Sequence, residues 1–278
     1  MDLLAFLYDT AAGRILLRPL ISRPVSVLCG RLLDTGFPKV LIDPFVRRNA
    51  IETEEYDLSE IRCFNDFFCR PLKDGRRSVS QDPEALIAPC DGLLTAVPIR
   101  EGVVLPIKQS RYSVGELLKD EALAGEWEGG VCLVFRLCVH HYHRYCYFDG
   151  GKKSRDRFIP GVLHTVRPVA LHGTPVFAEN CREYTVLDSE GFGKAIQMEV
   201  GALLVGKIVN DHPEEGTVCR GAEKGHFAYG GSTILVLLKE GAAELRQDIA
   251  DASAKGIETP VKLGEEIGRA VCSAVTGS

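Results

Sequence analysis

The sequence lacks the features typical of a membrane-spanning or a nucleic-acid-binding protein. It contains no run of eighteen apolar residues, the length that a transmembrane helix needs, so no membrane-spanning segment is expected. Its start shows no basic segment followed by an apolar one, so a secretory signal is not indicated. The formal net charge of −5 gives no reason to expect a nucleic-acid partner.

Cysteine is plentiful, with ten residues, but the sequence lacks any C-x-x-C pair. Neighbouring cysteines such as Cys63 and Cys69, or Cys138 and Cys146, have spacings that do not match a zinc ribbon, so no metal is expected. Without a secretory signal, we expect these thiols to be small buried hydrophobic groups in a reducing cytosol.

The features that are present indicate a folded protein with a large core. The chain has 278 residues, of which 45% are hydrophobic and 26% are charged. Residues 1–70 are predicted to be mainly helical, divided by Pro24 and by the breaker Gly36-Phe37-Pro38, with a last helix from about residue 59 to residue 69.

The pattern changes from residue 85 onward, where short apolar runs are separated by glycine, as is typical of β-strands. Strands are predicted near residues 184–187, 195–200, 203–209 and 233–238, and the capping-box spacing of Ser113 and Glu116 predicts the start of a short helix. We therefore predict an α+β protein, in which amphipathic N-terminal helices precede a β-rich, sandwich-like core. Its parts are a helical segment, 1–70, and one further domain, 71–278.

The first fifty residues combine apolar positions at roughly helical spacing with a basic face. The basic residues are Arg14, Arg18, Arg23, Arg31, Lys39, Arg47 and Arg48. Such helices can lie in the plane of an anionic bilayer with their apolar face in the lipid. They can equally pack that face on the protein core, which is the commoner fate of amphipathic helices. Both interpretations stay open.

The segment Tyr229-Gly230-Gly231-Ser232-Thr233 leads directly into the apolar run 234–238. A glycine pair before a strand is typical of an ordinary hairpin turn. It can also place the hydroxyl of Ser232 against the carbonyl of Gly231, which allows an N→O acyl shift from peptide to ester. β-Elimination would then release the upstream chain, and loss of ammonia would turn the Ser232 remnant into a pyruvoyl group.

Two further groups could assist such a serine. Asp91 lies in a Pro-Cys-Asp-Gly turn, where its carboxylate either bonds its own backbone or orients an acid–base group, as the third member of a triad does. At strand spacing, His141 and His143 would share one face and His140 would lie on the other. Three metal ligands from so short a segment would be strained, so acid–base work by these histidines is favoured over a metal site.

Several blocks of the sequence together resemble the phosphatidylserine decarboxylases, which are pyruvoyl-dependent enzymes that mature by self-cleavage. The resemblance covers residues 64–239, and the N-terminal helices match the family's membrane-docking segment only in general character. The blocks, in chain order, are Phe64-Asn65-Asp66-Phe67-Phe68-Cys69-Arg70-Pro71-Leu72-Lys73, Ala88-Pro89-Cys90-Asp91-Gly92, Tyr142-His143-Arg144-Tyr145, Pro175-Val176-Phe177-Ala178-Glu179-Asn180 and the stretch 224–233.

The resemblance implies cleavage between Gly231 and Ser232 into a long β chain, 1–231, and a short α chain, 232–278. The two chains would stay together as a heterodimer, and further oligomerisation is left open. Ser232 would become the covalent pyruvoyl cofactor of a carboxy-lyase. Phosphatidylserine would react with it through an imine, lose carbon dioxide and leave as phosphatidylethanolamine. The resemblance also implies a zymogen of phospholipid biosynthesis, bound to anionic lipid as a peripheral protein on the cytoplasmic face of the cell membrane.

The same resemblance assigns roles to single residues. Asp91 matches the family aspartate of self-cleavage, and His143 matches an acid–base histidine proposed for decarboxylation. This chain departs from many relatives at Cys146, where they carry a second histidine that is thought to activate the serine. Cys146 could act as a thiolate if its surroundings favour ionisation, and His141 or His143 could take over that role.

Two other functions stay open at this point. One is a pyruvoyl-dependent decarboxylase of a soluble amino acid, in which the N-terminal helices serve only for packing. The other is an uncleaved, non-enzymatic, membrane-bound relative. Binding to anionic liposomes would distinguish the first alternative, and an intact chain would mark the second.

Overall fold

The computed structural model describes residues 3–100, 103–107, 110–165, 176–202, 207–228, 230 and 232–271. Its α-helices are α1 (Leu3–Asp9), α2 (Ala11–Leu20), α3 (Arg23–Leu33), α4 (Ile42–Asn49), α5 (Phe64–Phe68), α6 (Val114–Leu118), α7 (Glu121–Ala124), α8 (Val176–Glu179) and α9 (Gln247–Ala254). Short 3-10 helices are present at Phe37–Leu41, Thr53–Glu55 and Gly125–Trp127. In the part of the chain that the structure describes, no helix has the length and hydrophobicity needed to cross a membrane.

The strands follow the first five helices, as the change of pattern predicts. They are β1 (Ala85–Ile87), β2 (Gly92–Arg100), β3 (Val103–Ile107), β4 (Ser110–Ser113), β5 (Val131–Leu137), β6 (Arg144–Cys146), β7 (Gly151–Lys153), β8 (Arg157–Ile159), β9 (Arg182–Ser189), β10 (Gly193–Val200), β11 (Ile208–Asn210), β12 (Gly216–Val218), β13 (Glu223–Phe227), β14 (Ser232–Leu238), β15 (Ala243–Leu245), β16 (Thr259–Val261) and β17 (Glu266–Ala270).

The largest sheet has eleven strands among the described residues. Its path runs β12-β7-β9-β10-β14-β5-β2-β3-β4, while β8 pairs with β9 and β16 pairs with β2. Strand β14 lies between β10 and β5, and every one of its residues is buried. Its run of isoleucine, leucine and valine fits this place, because a strand that is covered on both faces needs apolar side chains on both.

Alternate residues of β14 face two separate hydrophobic clusters. Leu235 and Leu237 pack in one cluster with the fully buried Trp127. Ile234 and Val236 pack in the other, because successive side chains of a strand point to opposite faces. Each buried side chain of this size contributes roughly 1.5–3 kcal/mol relative to an exposed one. The central sheet therefore has an apolar core on each face.

Two smaller sheets complete the β-layers. The sheet β11-β13-β6 covers one face of the central sheet, where its residues Tyr145 and Phe227 join the cluster of Ile234. The sheet β1-β17-β15 packs at the same side through Leu86 and Ile267. The predicted α+β class with a β-rich core after N-terminal helices is confirmed. The division at residues 70 and 71 stays a prediction.

Local predictions were accurate where the pattern was simple. The expected capping box is present, since the Ser113 side chain accepts from the Glu116 N–H and the Glu116 side chain accepts from the Ser113 N–H, at the start of α6. The strands predicted at 184–187, 195–200 and 233–238 lie within β9, β10 and β14. Of the strand predicted at 203–209, residues 203–206 lie outside the described residues.

The last N-terminal helix is shorter than predicted. It was expected from about residue 59, but α5 begins only at Phe64, where Cys63 Sγ accepts from the Asp66 N–H. The reason is local, because the carboxylate of Asp57 accepts from the Ser59 N–H and that of Asp66 accepts from the Arg62 N–H. These side-chain bonds compete with helical ones and hold the chain in turns up to residue 63.

Candidate active site

The candidate site lies at one edge of the central sheet. The register of β2, β5 and β14 places Leu93, Arg136 and Thr233 in one row. Ser232, at the start of β14, therefore lies opposite Leu137 at the end of β5, and Asp91 immediately precedes β2 at the same edge. Neighbouring strands are about 4.8 Å apart, so two strand spacings separate the backbones of Asp91 and Ser232.

Ser232 is fully buried and faces His143. Its Oγ lies 3.4 Å from His143 Nδ1, a long hydrogen bond, while His143 Nε2 lies 3.2 Å from the carbonyl oxygen of Cys138. Because a carbonyl oxygen only accepts, Nε2 carries the hydrogen of the neutral ring. Nδ1 is then left to accept the hydrogen of the Ser232 hydroxyl, which is the arrangement of a serine beside its general base.

The surroundings of His143 keep its ring neutral. The ring of Phe68, the last residue of α5, stacks on it with the ring centres 4.0 Å apart. Complete burial, followed by the positive charge of Arg70, holds the pKa of His143 well below its ordinary value. A neutral imidazole is the form that takes a proton, so His143 is suited to act as a base at neutral pH.

Arg70 is itself fully buried and holds the segment that carries the histidines. Its Nη2 donates to the carbonyl oxygens of His140 and His141 at 3.1 and 3.3 Å. Its guanidinium lies over the ring of Tyr56, 4.1 Å from the ring centre. The N-terminal segment therefore contributes directly to the site, through both Phe68 and Arg70.

The assignment of the three histidines to strand faces was wrong, because residues 138–143 form a turn between β5 and β6. The Cys138 N–H donates to His141 Nδ1 at 2.9 Å, which closes this turn, and burial lowers the pKa of His141 to about 4. His140 is exposed and contacts the ring of His141. Only His143 of the three is brought to Ser232 in the described contacts.

Asp91 is bound to an arginine rather than to a histidine. Its carboxylate accepts from Arg77 Nε at 3.0 Å, from Arg77 Nη2 at 2.6 Å and from the Leu263 N–H at 2.9 Å. Arg77 also donates to Glu55 at 3.0 Å, and these carboxylates raise the pKa of the guanidinium. The structure thus places Asp91 at the edge of the site but gives it partners that the turn motif did not indicate.

Cys146 lies in apolar surroundings. It packs with Ala85 and Ile87 of β1, and its N–H donates to the carbonyl of Pro89 at 2.8 Å. Burial raises the pKa of its thiol to about 12, which disfavours the thiolate that a base would need. The structure brings His143, not Cys146, within hydrogen-bonding distance of Ser232.

The glycines before Ser232 are only partly described. Gly231, the other half of the predicted cleavage site, lies outside the described residues. Gly230 is buried and has a φ of 129°, a conformation that favours glycine. A residue with a side chain at position 230, directly before the predicted Gly231–Ser232 cleavage site, would therefore be strained.

A cluster of buried charges lies on the same face of the sheet as Ser232. Lys224 Nζ is 2.5 Å from Glu199 Oε2 and 4.0 Å from Asp156, and Asp156 is 3.0 Å from Lys153. Glu199 lies opposite Ile234 in the register, two residues along β14 from Ser232. Burial, opposed by Lys224, raises the pKa of the Glu199 carboxyl to about 7.

The residues around Ser232 suit a pyruvoyl group derived from it. The position is fully buried beside a neutral imidazole and an aromatic ring, so a ketone there would be shielded from water and within reach of the His143 ring. Within the described ranges, no group of three or more His, Cys, Asp or Glu side chains is arranged to hold a metal ion.

Several site residues could not be found from motifs. Phe68 and Arg70 belong to a block that carries the resemblance, but no spacing relates them to residue 143. The signal for them is the segment Phe64-Asn65-Asp66-Phe67-Phe68-Cys69-Arg70, directly before Pro71. Arg77 and the Cys138 carbonyl had no sequence signal at all.

Comparison with known proteins gives one consistent result. The family model described as phosphatidylserine decarboxylase matches residues 64–269. The chain is 44% identical over 266 residues to phosphatidylserine decarboxylase proenzyme 2 of Clostridium acetobutylicum, which covers 95% of this chain and 91% of the relative. It is 39% identical to a phosphatidylserine decarboxylase proenzyme of Ruminiclostridium cellulolyticum, over 97% of this chain and 91% of the relative. A proenzyme of the same name from Clostridium botulinum is 38% identical, over 94% and 90% respectively.

Proposed function

The chain belongs to the phosphatidylserine decarboxylase family, and we propose that it matures by cleaving its own Gly231–Ser232 bond with His143 as the base. It is a carboxy-lyase that converts phosphatidylserine to phosphatidylethanolamine and carbon dioxide. The observation that carries the assignment of the base is the contact between Ser232 Oγ and His143 Nδ1, with Nε2 held by the Cys138 carbonyl.

In self-cleavage, His143 Nδ1 takes the hydroxyl proton of Ser232, and Oγ attacks the carbonyl carbon of Gly231. The C–N bond of the peptide breaks and the proton goes to the freed amine, which leaves an ester. Removal of the Ser232 α-proton then breaks the Cβ–Oγ bond, so that Gly231 departs as a carboxylate. Water and loss of ammonia convert the remaining residue to pyruvoyl at the start of the α chain.

In decarboxylation, the pyruvoyl carbonyl supplies an electron sink for the electron pair that remains when carbon dioxide leaves. His143 Nδ1 lies beside this position, so it can take the proton that the substrate ammonium must lose before its amine reacts, and return that proton to the substrate α-carbon. The stacked ring of Phe68 and the burial of Ser232 exclude water. A carboxylate that leaves as a neutral gas is favoured by such apolar surroundings.

The mass of the purified, denatured protein tests this proposal. We expect two species, 1–231 and 232–278, with the short one lighter by one ammonia than a chain that starts with serine. Replacing Ser232 by alanine is expected to give one full-length mass and no decarboxylation, because no hydroxyl is left to attack the peptide. A single mass for the unaltered chain, or activity in Ser232→Ala, would overturn the proposal.

The N-terminal helices support docking on a membrane. Ile15 is 70% exposed, Leu28 68% and Phe37 81%, although all three are large apolar residues. Further exposed apolar residues on the same segment are Leu16, Leu20, Val27, Leu32, Val40 and Leu41. So many exposed large apolar side chains in one segment indicate an interaction surface. We define these nine residues as the apolar N-terminal surface.

Basic side chains accompany this surface. Exposed cations from the same segment are Arg14, Arg18, Arg31, Lys39, Arg47 and Arg48. Apolar side chains flanked by cations fit the boundary of an anionic bilayer, where the two kinds of attraction add. The proposed place of docking is the cytoplasmic face of the cell membrane, a reducing compartment in which the free thiols of the described cysteines would persist.

The N-terminal helices are held at both ends, α1 by the core and α3 by α5. The Tyr8 hydroxyl of α1 lies 3.2 Å from His164 Nδ1 and accepts from the Thr165 N–H. At the other end, Asn65 of α5 donates to Asp34 at 2.6 Å. The apolar N-terminal surface is therefore held at a fixed position relative to Phe68 and the site.

Replacing Ile15, Leu28 and Phe37 together by serine is expected to weaken binding to vesicles containing phosphatidylserine at least tenfold, because three apolar anchors are lost. Vesicle flotation measures this, and binding by the unaltered chain should also fall as salt rises. Ile257→Ser serves as the matched control, since Ile257 is 56% exposed elsewhere on the molecule. Equal binding by the triple variant and the control would mean that these helices serve only for packing.

A further inference from the structure

Two aromatic side chains of the N-terminal segment enclose the guanidinium of Arg70. This arginine is fully buried, and its guanidinium carbon lies 4.1 Å from the ring centre of Tyr56 and 5.0 Å from that of Phe67. Its Nη1 also donates to the Phe67 carbonyl at 3.2 Å. Planar guanidinium groups stack well on aromatic faces, so the group is fixed in position and orientation. We define Tyr56, Phe67 and Arg70 as the turn clamp.

The turn clamp holds the turn between β5 and β6, which we call the histidine turn. Arg70 Nη2 donates to the carbonyl oxygens of His140 and His141 at 3.1 and 3.3 Å. The ring of Tyr56 stacks on that of Tyr142 with the ring centres 6.2 Å apart. Both rings are buried in one hydrophobic cluster. The turn is thus attached to the N-terminal segment through its backbone and through a side chain.

The histidine turn determines which ring nitrogen of the proposed base carries the hydrogen. The Cys138 carbonyl accepts from the His141 N–H at 2.9 Å and lies 3.2 Å from His143 Nε2. A carbonyl only accepts, so it keeps the hydrogen on Nε2 and leaves Nδ1 to face Ser232. The nitrogen that faces Ser232 therefore depends on where the turn holds the Cys138 carbonyl.

A second fully buried arginine provides a comparison. Arg182 donates to the carbonyls of Leu117, Asn180 and Glu116 at 2.7, 2.8 and 2.8 Å. Each of the two arginines therefore binds three backbone carbonyls. They differ in what they hold, because Arg182 holds the helix α6 and Arg70 holds the histidine turn. Arg182 is thus the matched control for the loss of a buried arginine.

We propose that Arg70 is a positioning residue of self-cleavage, which holds the histidine turn so that His143 Nδ1 faces the Ser232 hydroxyl. This inference rests on the proposed function, in which His143 is the base. The N-terminal segment then does more than dock on a membrane, because it fixes the group that activates the serine. Tyr56, which stacks on the guanidinium, lies outside the residues 64–269 that the family model matches.

The rate of self-cleavage is the first test. Arg70→Met is expected to slow cleavage about 100-fold, because a displacement of about 1 Å near a reacting group can cost that much in rate. Methionine fills part of the same space but donates no hydrogen bond. The appearance of the short chain after cell-free synthesis, followed by mass, measures the rate. Arg182→Met should cleave within about twofold of the unaltered rate, because its partners lie outside the histidine turn.

Denaturant unfolding shows whether a loss of stability explains slow cleavage. Both methionine variants, prepared in the uncleaved Ser232→Ala chain, are expected to lower the denaturant midpoint by similar amounts, because each loses three hydrogen bonds. Equal slowing of cleavage in both variants would mean that Arg70 only holds the fold, and would overturn the inference. If a methionine variant is not recovered folded, Arg70→Lys and Arg182→Lys provide the same comparison, with about tenfold slower cleavage expected for Arg70→Lys alone.

The tautomer of His143 is a readout that a general loss of stability would not change. Nitrogen-15 NMR of the histidine-labelled Ser232→Ala chain distinguishes a ring nitrogen that carries hydrogen from one that does not. The signals of His143 are assigned by their absence in His143→Asn. We expect the Nε2–H form alone in the Ser232→Ala chain, with or without Arg182→Met.

Arg70→Met in the same chain is expected to give a mixture of the two tautomers, because the Cys138 carbonyl is no longer held beside Nε2. The Nε2–H form alone in this variant would show that the turn keeps its position without Arg70, and would reject the inference even if cleavage were slow.

The unaltered chain separates failure of this inference from failure of the proposed function. A single full-length mass for the unaltered chain refutes the proposed function. Two chains in the unaltered protein, with Arg70→Met cleaving as fast as Arg182→Met, refute the inference alone.

Discussion

Replacing His143 by asparagine is expected to slow self-cleavage by about 10²- to 10⁴-fold, the usual contribution of a general base. Asparagine fills a similar space but cannot take the proton of the Ser232 hydroxyl. The appearance of the short chain after cell-free synthesis, followed by mass, measures the rate. Decarboxylation by any chain that does mature should also be slower, since the same imidazole lies beside the α-carbon position.

Cys146→Ala is the companion variant that separates the two candidate bases. Because burial raises the pKa of this thiol to about 12, we expect cleavage within about twofold of the unaltered rate. Slow cleavage in Cys146→Ala with normal cleavage in His143→Asn would assign the base to Cys146 and reject His143.

The pH dependence of cleavage follows from the surroundings of His143. Burial and Arg70 hold its pKa well below the ordinary value of 6.5, so the neutral, proton-accepting form persists at lower pH than for an exposed histidine. The cleavage rate is therefore expected to stay constant as the pH falls through 6.5. A tenfold fall for each pH unit below 6.5 would show that the base titrates like an exposed histidine.

Replacing Lys224 by methionine is expected to lower the free energy of unfolding by about 3–5 kcal/mol, because it leaves the buried Glu199 without its cation. Denaturant unfolding of the uncleaved Ser232→Ala chain measures this, since a single chain can refold. Lys194→Met is the matched control. Lys194 pairs with Glu126 at 2.6 Å with both side chains 34% exposed, and such pairs contribute about 0–1 kcal/mol.

The sign of the pH effect distinguishes a charge effect from a packing effect. The pKa of Glu199 is raised to about 7 from 4.5, so its folded form is protonated more easily than its unfolded form. The contribution of Glu199 to the free energy of unfolding is therefore present at low pH and is lost as the pH rises through 7. The deficit of Lys224→Met should accordingly shrink between pH 8 and pH 5.5. A deficit that does not change with pH would mean that only packing is lost.

Much of the fold followed from local patterns. The apolar run after Ser232 predicted a strand, which is β14, and the structure buries it along its whole length. The capping box at Ser113 predicted the start of α6. Such patterns are reliable because they depend only on local geometry. Side chains three or four residues apart are neighbours in a helix, and side chains two residues apart lie on the same face of a strand.

The contacts of the site did not follow from local patterns. The pair of Ser232 and His143 joins residues 89 positions apart, and Phe68 reaches His143 from a different layer. The same limit explains the wrong faces predicted for the histidines, because strand periodicity was assumed where the chain turns. Asp91 and Arg77 are only 14 positions apart, yet no motif links a turn carboxylate to that arginine.

The sequence by itself determined the family, the α+β class and the serine at the start of a buried strand. These features follow from residue types and short spacings, which do not depend on the tertiary structure. The tertiary structure decided which group faces that serine. His143 and Cys146 are only three positions apart, and either residue type could act as the base, so the sequence does not distinguish them. Packing then separates them. His143 is held between Phe68, Arg70 and the Cys138 carbonyl beside Ser232, while Cys146 is directed into an apolar cluster that raises its pKa.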